Sequence, residues 1–281
     1  MKPWRIMLCL CGASALASPA RAQPEAPQGS QDVAAASADR LTLTANGSTL
    51  SPADSGRGAS VGWLRHLGSD ALIGVGVEHQ SIADARWTFA SVSGALSRAS
   101  SGGRKITFHG EAQRGSGDEA GRGFSYSITA AGITGAVTDR LSLRFESREI
   151  DIDRTHGNLP RLGLSFTWNT RFLTDVAYAR SISGNLGTKL VSTRTDYYGE
   201  RFRLLFGGAF GQAAPSVVNL QPGLAIPDDR RLRQLFVGVS KPLTRGELLA
   251  VVDQLELGSS ERATLTISYA IPLQHEARSN R

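Results

Sequence analysis

His79-Gln80-Ser81 sets an imidazole and a hydroxyl two residues apart. On a β-strand both would project from one face, where the imidazole could take the hydroxyl proton and leave serine as a nucleophile. Such a pair needs a third group to orient the histidine. Ile82 follows directly, and the next asparagine downstream is Asn158. Nothing nearby in the chain fills that role, and an ordinary strand-end histidine is the better reading. His66, His109, His156 and His275 show no metal-ligand spacing. Arg154-Thr155-His156-Gly157-Asn158 reads as a loop tip. Glu111, Glu146 and Asp175 are the acids that could form a general acid/base pair. Basic residues interleave with them, however: Lys105 with Glu111, Arg144 and Arg148 with Glu146, and Arg194 with Asp196. This pattern predicts charge pairs on a shared inner face, not catalysis. Gly207-Gly208-Ala209-Phe210-Gly211 lacks the Lys-Ser/Thr of a phosphate loop. The expected cofactor and metal content is none.

The elements that must carry these residues are strands. Leu162–Arg180 alternates on both sides of a polar break at Asn169-Thr170-Arg171: Leu162, Leu164, Phe166 and Trp168 share one parity, and Phe172, Val176 and Tyr178 resume it. Period-two alternation around a short break is a β-hairpin. Its opposite face is small and polar with isolated charges, which suits the inside of a closed barrel whose apolar face meets lipid. Similar segments recur to the end of the chain. Ile106 and Phe108 oppose Lys105, Thr107, His109 and Glu111; Leu141, Leu143 and Phe145 oppose Arg144, Glu146 and Arg148; Leu265, Ile267 and Tyr269 oppose Thr264, Thr266 and Ser268. On a lipid face a basic residue would cost about 2–4 kcal/mol at the midplane, so the charged parity points inward. Gly246–Leu257 breaks the pattern, because Asp253 shares parity with Leu249 and Val251; a bulge or a rim position would account for it. The expected fold is all-β, a single antiparallel up-and-down transmembrane barrel of about 12–14 strands over residues 40–273. A soluble two-sheet sandwich is the competing architecture.

The breaks alternate in length. Short ones fall at Gly68-Ser69-Asp70, Thr138-Asp139-Arg140, Asn169-Thr170-Arg171, Glu200-Arg201 and Leu243-Thr244-Arg245, with longer ones between them at Ser51–Ala59, Ser116–Gly123, Arg154–Arg161, Ile182–Thr188 and Pro215–Arg231. Outer-membrane barrels place short turns on the periplasmic rim and longer loops outside. Aromatics at strand ends, such as Trp168, Phe172, Tyr197, Tyr198 and Phe202, suit an interfacial girdle.

The N-terminus supplies an address. Lys2 and Arg5 precede an apolar run, Ile6–Ala17, and Ala20-Arg21-Ala22 is a small-x-small cleavage site, so residues 1–22 read as a signal peptide. Cys9 and Cys11, the two cysteines of the chain, lie inside it, which leaves the mature chain with neither disulfide nor thiolate site. Lys2, Arg5 and Arg21 leave with it and no acid does, so 31 basic residues fall to 28 against 25 acidic and the net charge falls from +6 to +3. No nucleic-acid partner is called for. Residues 23–39 are Pro-, Gln-, Ala- and Ser-rich and read as a disordered leader, and 274–281 as a tail.

Thr195–Gly211, Arg233–Leu248 and Glu261–Leu273, with Arg86–Arg98 earlier in the chain, resemble the YaiO-type outer-membrane β-barrel family. The resemblance implies a place in the Gram-negative cell outer membrane and no established activity. Its implied partners are outer-membrane lipid and lipopolysaccharide, the barrel-insertion machinery and, for some relatives, exopolysaccharide machinery. One departure is the last strand, which ends Ile271-Pro272-Leu273 without a terminal aromatic. The expected function is non-enzymatic: structural, or related to solute passage or exopolysaccharide export. The alternative is an outer-membrane lipid hydrolase using His79 and Ser81, because phospholipases and lipid A deacylases of that membrane look similar at H-x-S.

Overall fold

A computed structural model describes residues 39–51, 55–82, 85–99, 104–152, 155–213 and 231–273. The signal peptide, the leader before residue 39, the tail after 273 and most of the long Pro215–Arg231 connection lie outside the described residues. Among the described residues the chain forms fourteen antiparallel strands: β1 (Asp39–Ser51), β2 (Ser55–His66), β3 (Ala71–Ile82), β4 (Ala85–Ala99), β5 (Lys105–Glu119), β6 (Arg122–Ala136), β7 (Leu141–Ile152), β8 (Thr155–Asn169), β9 (Phe172–Arg180), β10 (Lys189–Tyr198), β11 (Arg203–Gln212), β12 (Arg231–Leu243), β13 (Gly246–Leu257) and β14 (Ser260–Leu273). Each pairs with its neighbours in sequence, and β1 closes on β14 from Asp39↔Leu273 to Ser51↔Glu261. This is one closed barrel and not a sandwich. Closure gives every strand a neighbour on both sides, the condition for strands to cross a bilayer.

The alternation in sequence becomes an inside and an outside. Val75 and Val77 of β3, Phe145 of β7, Leu162 of β8 and Val237 of β12 are among the large apolar side chains left exposed, 44–59 % of Val61, Phe145, Leu162 and their like being open to the surroundings. They belong to the outward parity. Aromatics cluster at the short-turn rim from β8 to β11. Phe166 and Trp168 meet edge to face at 4.8 Å, Phe172 lies 4.9 Å from Tyr197, and Tyr197 lies 6.1 Å from Phe202. The Asn169 turn is fixed locally, since its Oδ1 accepts from the backbone N–H groups of Arg171 and Phe172 at 2.8 and 3.1 Å. The register with β9 shifts between Thr167 and Asn169, and Trp168, on the outward parity of Leu162 and Leu164, is exposed.

Four sequence expectations change. Ser51–Ala59 is not a long loop, since Ser55–Ala59 already pairs with β1 as part of β2. Ser116–Gly123 is not a loop: β5 and β6 run on to a tight Ala120-Gly121 turn, with Glu119 opposite Arg122. Arg154–Arg161 is not a loop either, since Thr155–Asn158 already pairs with β7 as part of β8. Asp253 sits at neither a bulge nor a rim, because β13 keeps continuous register with β12 and β14. On β13 the inward parity is apolar at Leu249, Val251, Leu255 and Leu257, and Asp253 is met there by Gln234 from β12.

The connection over 181–188 is the described long loop. It folds back on the first turns of β8, where β9 has not yet begun to pair. Ile182 N–H donates to the Asn158 carbonyl at 3.1 Å and Asn185 N–H to that of His156 at 2.9 Å. In return, His156 N–H donates to Asn185 Oδ1 at 2.9 Å. The loop thereby satisfies an otherwise open strand end and drives Leu186 fully inside the barrel. Gly184 makes the approach possible: its φ is +70°, and a Cβ there would stand 1.9 Å from the His156 carbonyl oxygen. Gly184→Ala is expected to lift the loop at a cost of about 1–3 kcal/mol and to expose 181–188 to protease on the folded barrel. Unchanged protection and an unchanged urea midpoint would remove this loop from the packing.

Candidate functional site

The inward face is divided by height. At the end carrying the longer connections it is largely apolar: Leu50 of β1, Ile82 of β3, Trp87 and Phe89 of β4, Phe124 and Tyr126 of β6, Ile150 and Ile152 of β7, and Leu255 and Leu257 of β13 belong to one packed cluster that Leu186 joins from its loop, with Gln80, Gln234 and Arg262 buried at the same level. A water-filled bore would leave these lumen-facing side chains wet. Instead Trp87 is 2 %, Tyr126 3 % and Leu255 0 % exposed. At this level the lumen is packed.

Backbone position, not side-chain reach alone, assembles the collar. Gly115 of β5 lies opposite Phe89 on one side and Tyr126 on the other, and Gly117 lies opposite Trp87 and Phe124. With no side chain on β5 at those two positions, rings from strands on either side close over it. Phe89 and Tyr126 stack with centroids 4.8 Å apart and planes 10° from parallel, a preferred aromatic geometry. A Cβ at Gly117 would stand 2.2 Å from Phe124 Cζ.

Below the collar the inner face is polar, and a chain of hydrogen bonds leaves the collar at Tyr126. Its hydroxyl donates to Gln113 Oε1 at 3.0 Å, and Gln113 Nε2 donates in turn to Glu111. Neighbouring inner positions carry further groups. Glu146 accepts from Arg148 Nε at 2.6 Å and lies 3.3 Å from His109 Nε2. Gly132 lies between His109 and Glu146, again the empty position over which partners from β5 and β7 meet. On the other wall Asp196 of β10, itself buried, accepts from Arg194 Nη2 at 2.8 Å and from Arg203 Nη2 at 2.9 Å. Arg203 also lies over the Tyr198 ring, 5.2 Å from its centroid. Ser165 donates to Asp175. At the height of the collar itself, beside Leu255, Gln234 donates to Asp253, and Arg262 of β14 stands one diagonal position away from that carboxylate.

Each residue expected at the site can now be placed. Glu111, Arg144, Glu146, Arg148, Asp175, Arg194 and Asp196 share the inward parity, as expected, but two pairings differ. Lys105 is exposed at the rim, six residues or about 20 Å along the strand from Glu111, and Glu111 is bonded to Gln113. Arg144 turns to Thr134 Oγ1 at 3.3 Å, leaving Arg148 and His109 to hold Glu146. His79 and Ser81 lie on the outward parity of β3. His79 Nδ1 is 2.8 Å from Thr88 Oγ1 on β4, and Ser81 lies opposite Arg86. His109, Arg203 and the Gln234–Asp253 pair were missed by sequence reasoning, and so was the collar. Among the described residues no group of three or more His, Cys, Asp or Glu could hold a metal ion.

No family model and no curated protein matches the chain. Solved structures share its architecture. The CymD monoaromatic hydrocarbon channel superposes with a TM-score of 0.60 at 13 % identity, over 88 % of this chain and 94 % of that one. A Pseudomonas aeruginosa FadL homologue gives 0.57 at 9 %, over 84 % and 91 %. The Ralstonia pickettii toluene transporter TbuX gives 0.56 at 9 %, over 84 % and 90 %. At these identities the likeness shows the fold, a closed fourteen-stranded barrel.

The two levels should respond differently to substitution. Tyr126→Phe removes one hydrogen bond and is expected to cost about 0.5–1.5 kcal/mol. Asp196→Asn removes the carboxylate facing two guanidinium groups and should cost more, about 1.5–3 kcal/mol. Urea unfolding of the variants in lipid vesicles checks the order; a reversal would mean that the arginines find water and not Asp196.

Proposed function

We propose that this chain is a non-enzymatic outer-membrane barrel of the YaiO type that passes small apolar molecules and does not serve as an ion-conducting pore. The observation that carries this reading is the collar: lumen-facing aromatic and aliphatic side chains, buried to a few per cent, above a polar chamber. Hydrophobic constrictions stop ions by excluding water, whereas an apolar solute trades little hydration on entering one. A hydrated polysaccharide chain would need a wet path along the whole bore, so the collar favours small apolar cargo over polysaccharide. The similarity of fold to channels and transporters named for monoaromatic hydrocarbons and toluene points the same way. The signal peptide and the closed barrel support the outer-membrane address, with the short turns on the periplasmic rim.

Non-enzymatic character is favoured by the setting of His79 and Ser81. The imidazole nitrogen that an orienting acid would hold is bonded to Thr88, and Ser81 has Arg86 opposite it.

Two measurements on one preparation test the proposal. In a planar bilayer the wild type should give no steady conductance, and Trp87→Ala with Phe124→Ala should open ion-conducting events. Cells carrying the wild-type chain in the outer membrane should take up a radiolabelled monoaromatic hydrocarbon several-fold faster than cells without it. Large open channels in the wild type would overturn the collar as a barrier. Equal uptake by both cell types would leave a structural role.

A further inference from the structure

Among the described residues, a groove interrupts the outer wall between β4 and β5. Gly94 of β4 and Gly110 of β5 face each other on the outward parity, and the missing side chains leave a groove of about 640 Å³ in the otherwise studded lipid face. Its sides are apolar: Leu67, Ile73, Val92, Leu96, Phe108 and Ala112. Ile73, Val92, Leu96 and Phe108 are 38–51 % exposed, so none of them folds over to fill the space. The wall behind it is intact, since β4 and β5 pair without a break from Ala85↔Glu119 to Ala99↔Lys105. The groove is therefore a surface feature and not an opening into the lumen.

It runs toward the short-turn rim, where the charge is mostly basic. Arg98 stands two residues beyond Leu96 on the same outward face, is exposed, and has no acidic partner among the described residues. Arg104 and Lys105 are exposed at the same rim. Arg65, opposite Ile73, is 4.0 Å from Asp39 and thus already shared, and Asp70 lies in the adjacent turn. An apolar groove at hydrocarbon depth, ending at the exposed Arg98 guanidinium at the interface, matches a molecule with an acyl chain and an anionic head. Basic sites beside membrane-spanning segments recognise anionic lipid headgroups in this way.

We infer that the groove over Gly94 and Gly110 is a binding site for one anionic phospholipid, its acyl chain lying between Leu96 and Phe108 and its phosphate at Arg98. The inference rests on the outer-membrane reading, with the short-turn rim facing the periplasm. It is independent of what passes through the lumen.

The geometry supplies a variant that fills the groove without straining the barrel. A Cβ at Gly94 would first meet the Leu72 carbonyl oxygen at 3.5 Å, and one at Gly110 the Ala130 carbonyl oxygen at 3.5 Å, both ordinary contacts. Neither glycine has a positive φ. Gly94→Leu with Gly110→Leu should therefore fold. The full chain is purified from membranes in mild detergent, mixed with equal phosphatidylglycerol and phosphatidylethanolamine, and weighed by native mass spectrometry. Its folded state is followed by the electrophoretic shift on boiling. The wild type is expected to retain one phosphatidylglycerol, and the glycine double variant to lose at least ten-fold in that occupancy while keeping its boiling shift. Arg98→Gln should reduce the preference for phosphatidylglycerol several-fold and leave the groove able to take either lipid. Equal retention by the wild type and the double variant overturns the site. So does a dimer that the double variant splits, which would assign the groove to a second copy. Protection by glycerol phosphate as strong as by the intact lipid would place binding at the rim arginine alone and overturn the acyl-chain assignment. A wild type with no boiling shift, found in the soluble fraction, would instead sink the membrane reading itself.

Discussion

Side chains two strands apart meet inside this barrel because the strand between them carries a glycine at the inward position. Adjacent strands are about 4.8 Å apart, so partners on next-nearest strands are about twice that distance apart along the wall and ordinarily have a side chain between them. Gly115 and Gly117 remove it between β4 and β6, and the rings of Phe89 and Tyr126 close to 4.8 Å. Gly132 removes it between β5 and β7, and His109 reaches Glu146. Gly58 lies in the same way between Asn46 and Gln80. A glycine in a strand interior ordinarily weakens it; here the lost strand propensity is offset by contacts that span three strands and stiffen the wall against shear.

That constraint produces a lumen with two chemistries in series. Near the longer connections the approach of rings gives a dry collar. Toward the short turns the same inward parity carries Ser, Thr, Glu and Arg, whose charges find partners two residues along the same strand, as in Arg148–Glu146 and Arg194–Asp196, or on a neighbouring one, as in Arg203–Asp196. The Tyr126–Gln113–Glu111 chain joins the two levels, with one end in the collar and the other in the polar chamber. A single tyrosine, apolar in its ring and polar at its tip, suits that boundary. Buried ions such as Asp196 hold their place because two guanidinium groups and an aromatic face surround the pair; unpaired, a carboxylate at that depth would be costly.

Much of this was legible in the sequence, for a definite reason. A side-chain period of two survives in the residue string, so Leu162–Arg180 announces its hairpin and Leu141–Phe145 its two faces. Strand existence and parity follow, and so does the inward set of charges. What does not survive is the partner. Whether Glu146 takes Arg144 or Arg148 depends on register and on the empty position at Gly132, both properties of neighbouring strands. The loop expected over 154–161 failed because His156, Asn158 and Pro160 are polar or loop-like residues on the outward parity near a rim, where lipid no longer demands apolar side chains. The collar was hidden by a similar ambiguity. Trp87 and Phe124 sit near strand ends, as girdle residues do, and only their parity within a closed barrel turns them inward.

The central claim, a polar chamber sealed at one end by a largely apolar collar, is open to a direct measurement because residues 12–281 carry no cysteine. Single substitutions Ser93→Cys in the chamber wall and Ile150→Cys in the collar can be introduced into protein inserted in vesicles with one orientation. They are then exposed to a charged, membrane-impermeant thiol reagent from either side. The account predicts that position 93 labels from the short-turn side and resists from the loop side, and that position 150 resists from both. Rapid labelling of position 93 from the loop side would show a continuous aqueous bore and contradict it.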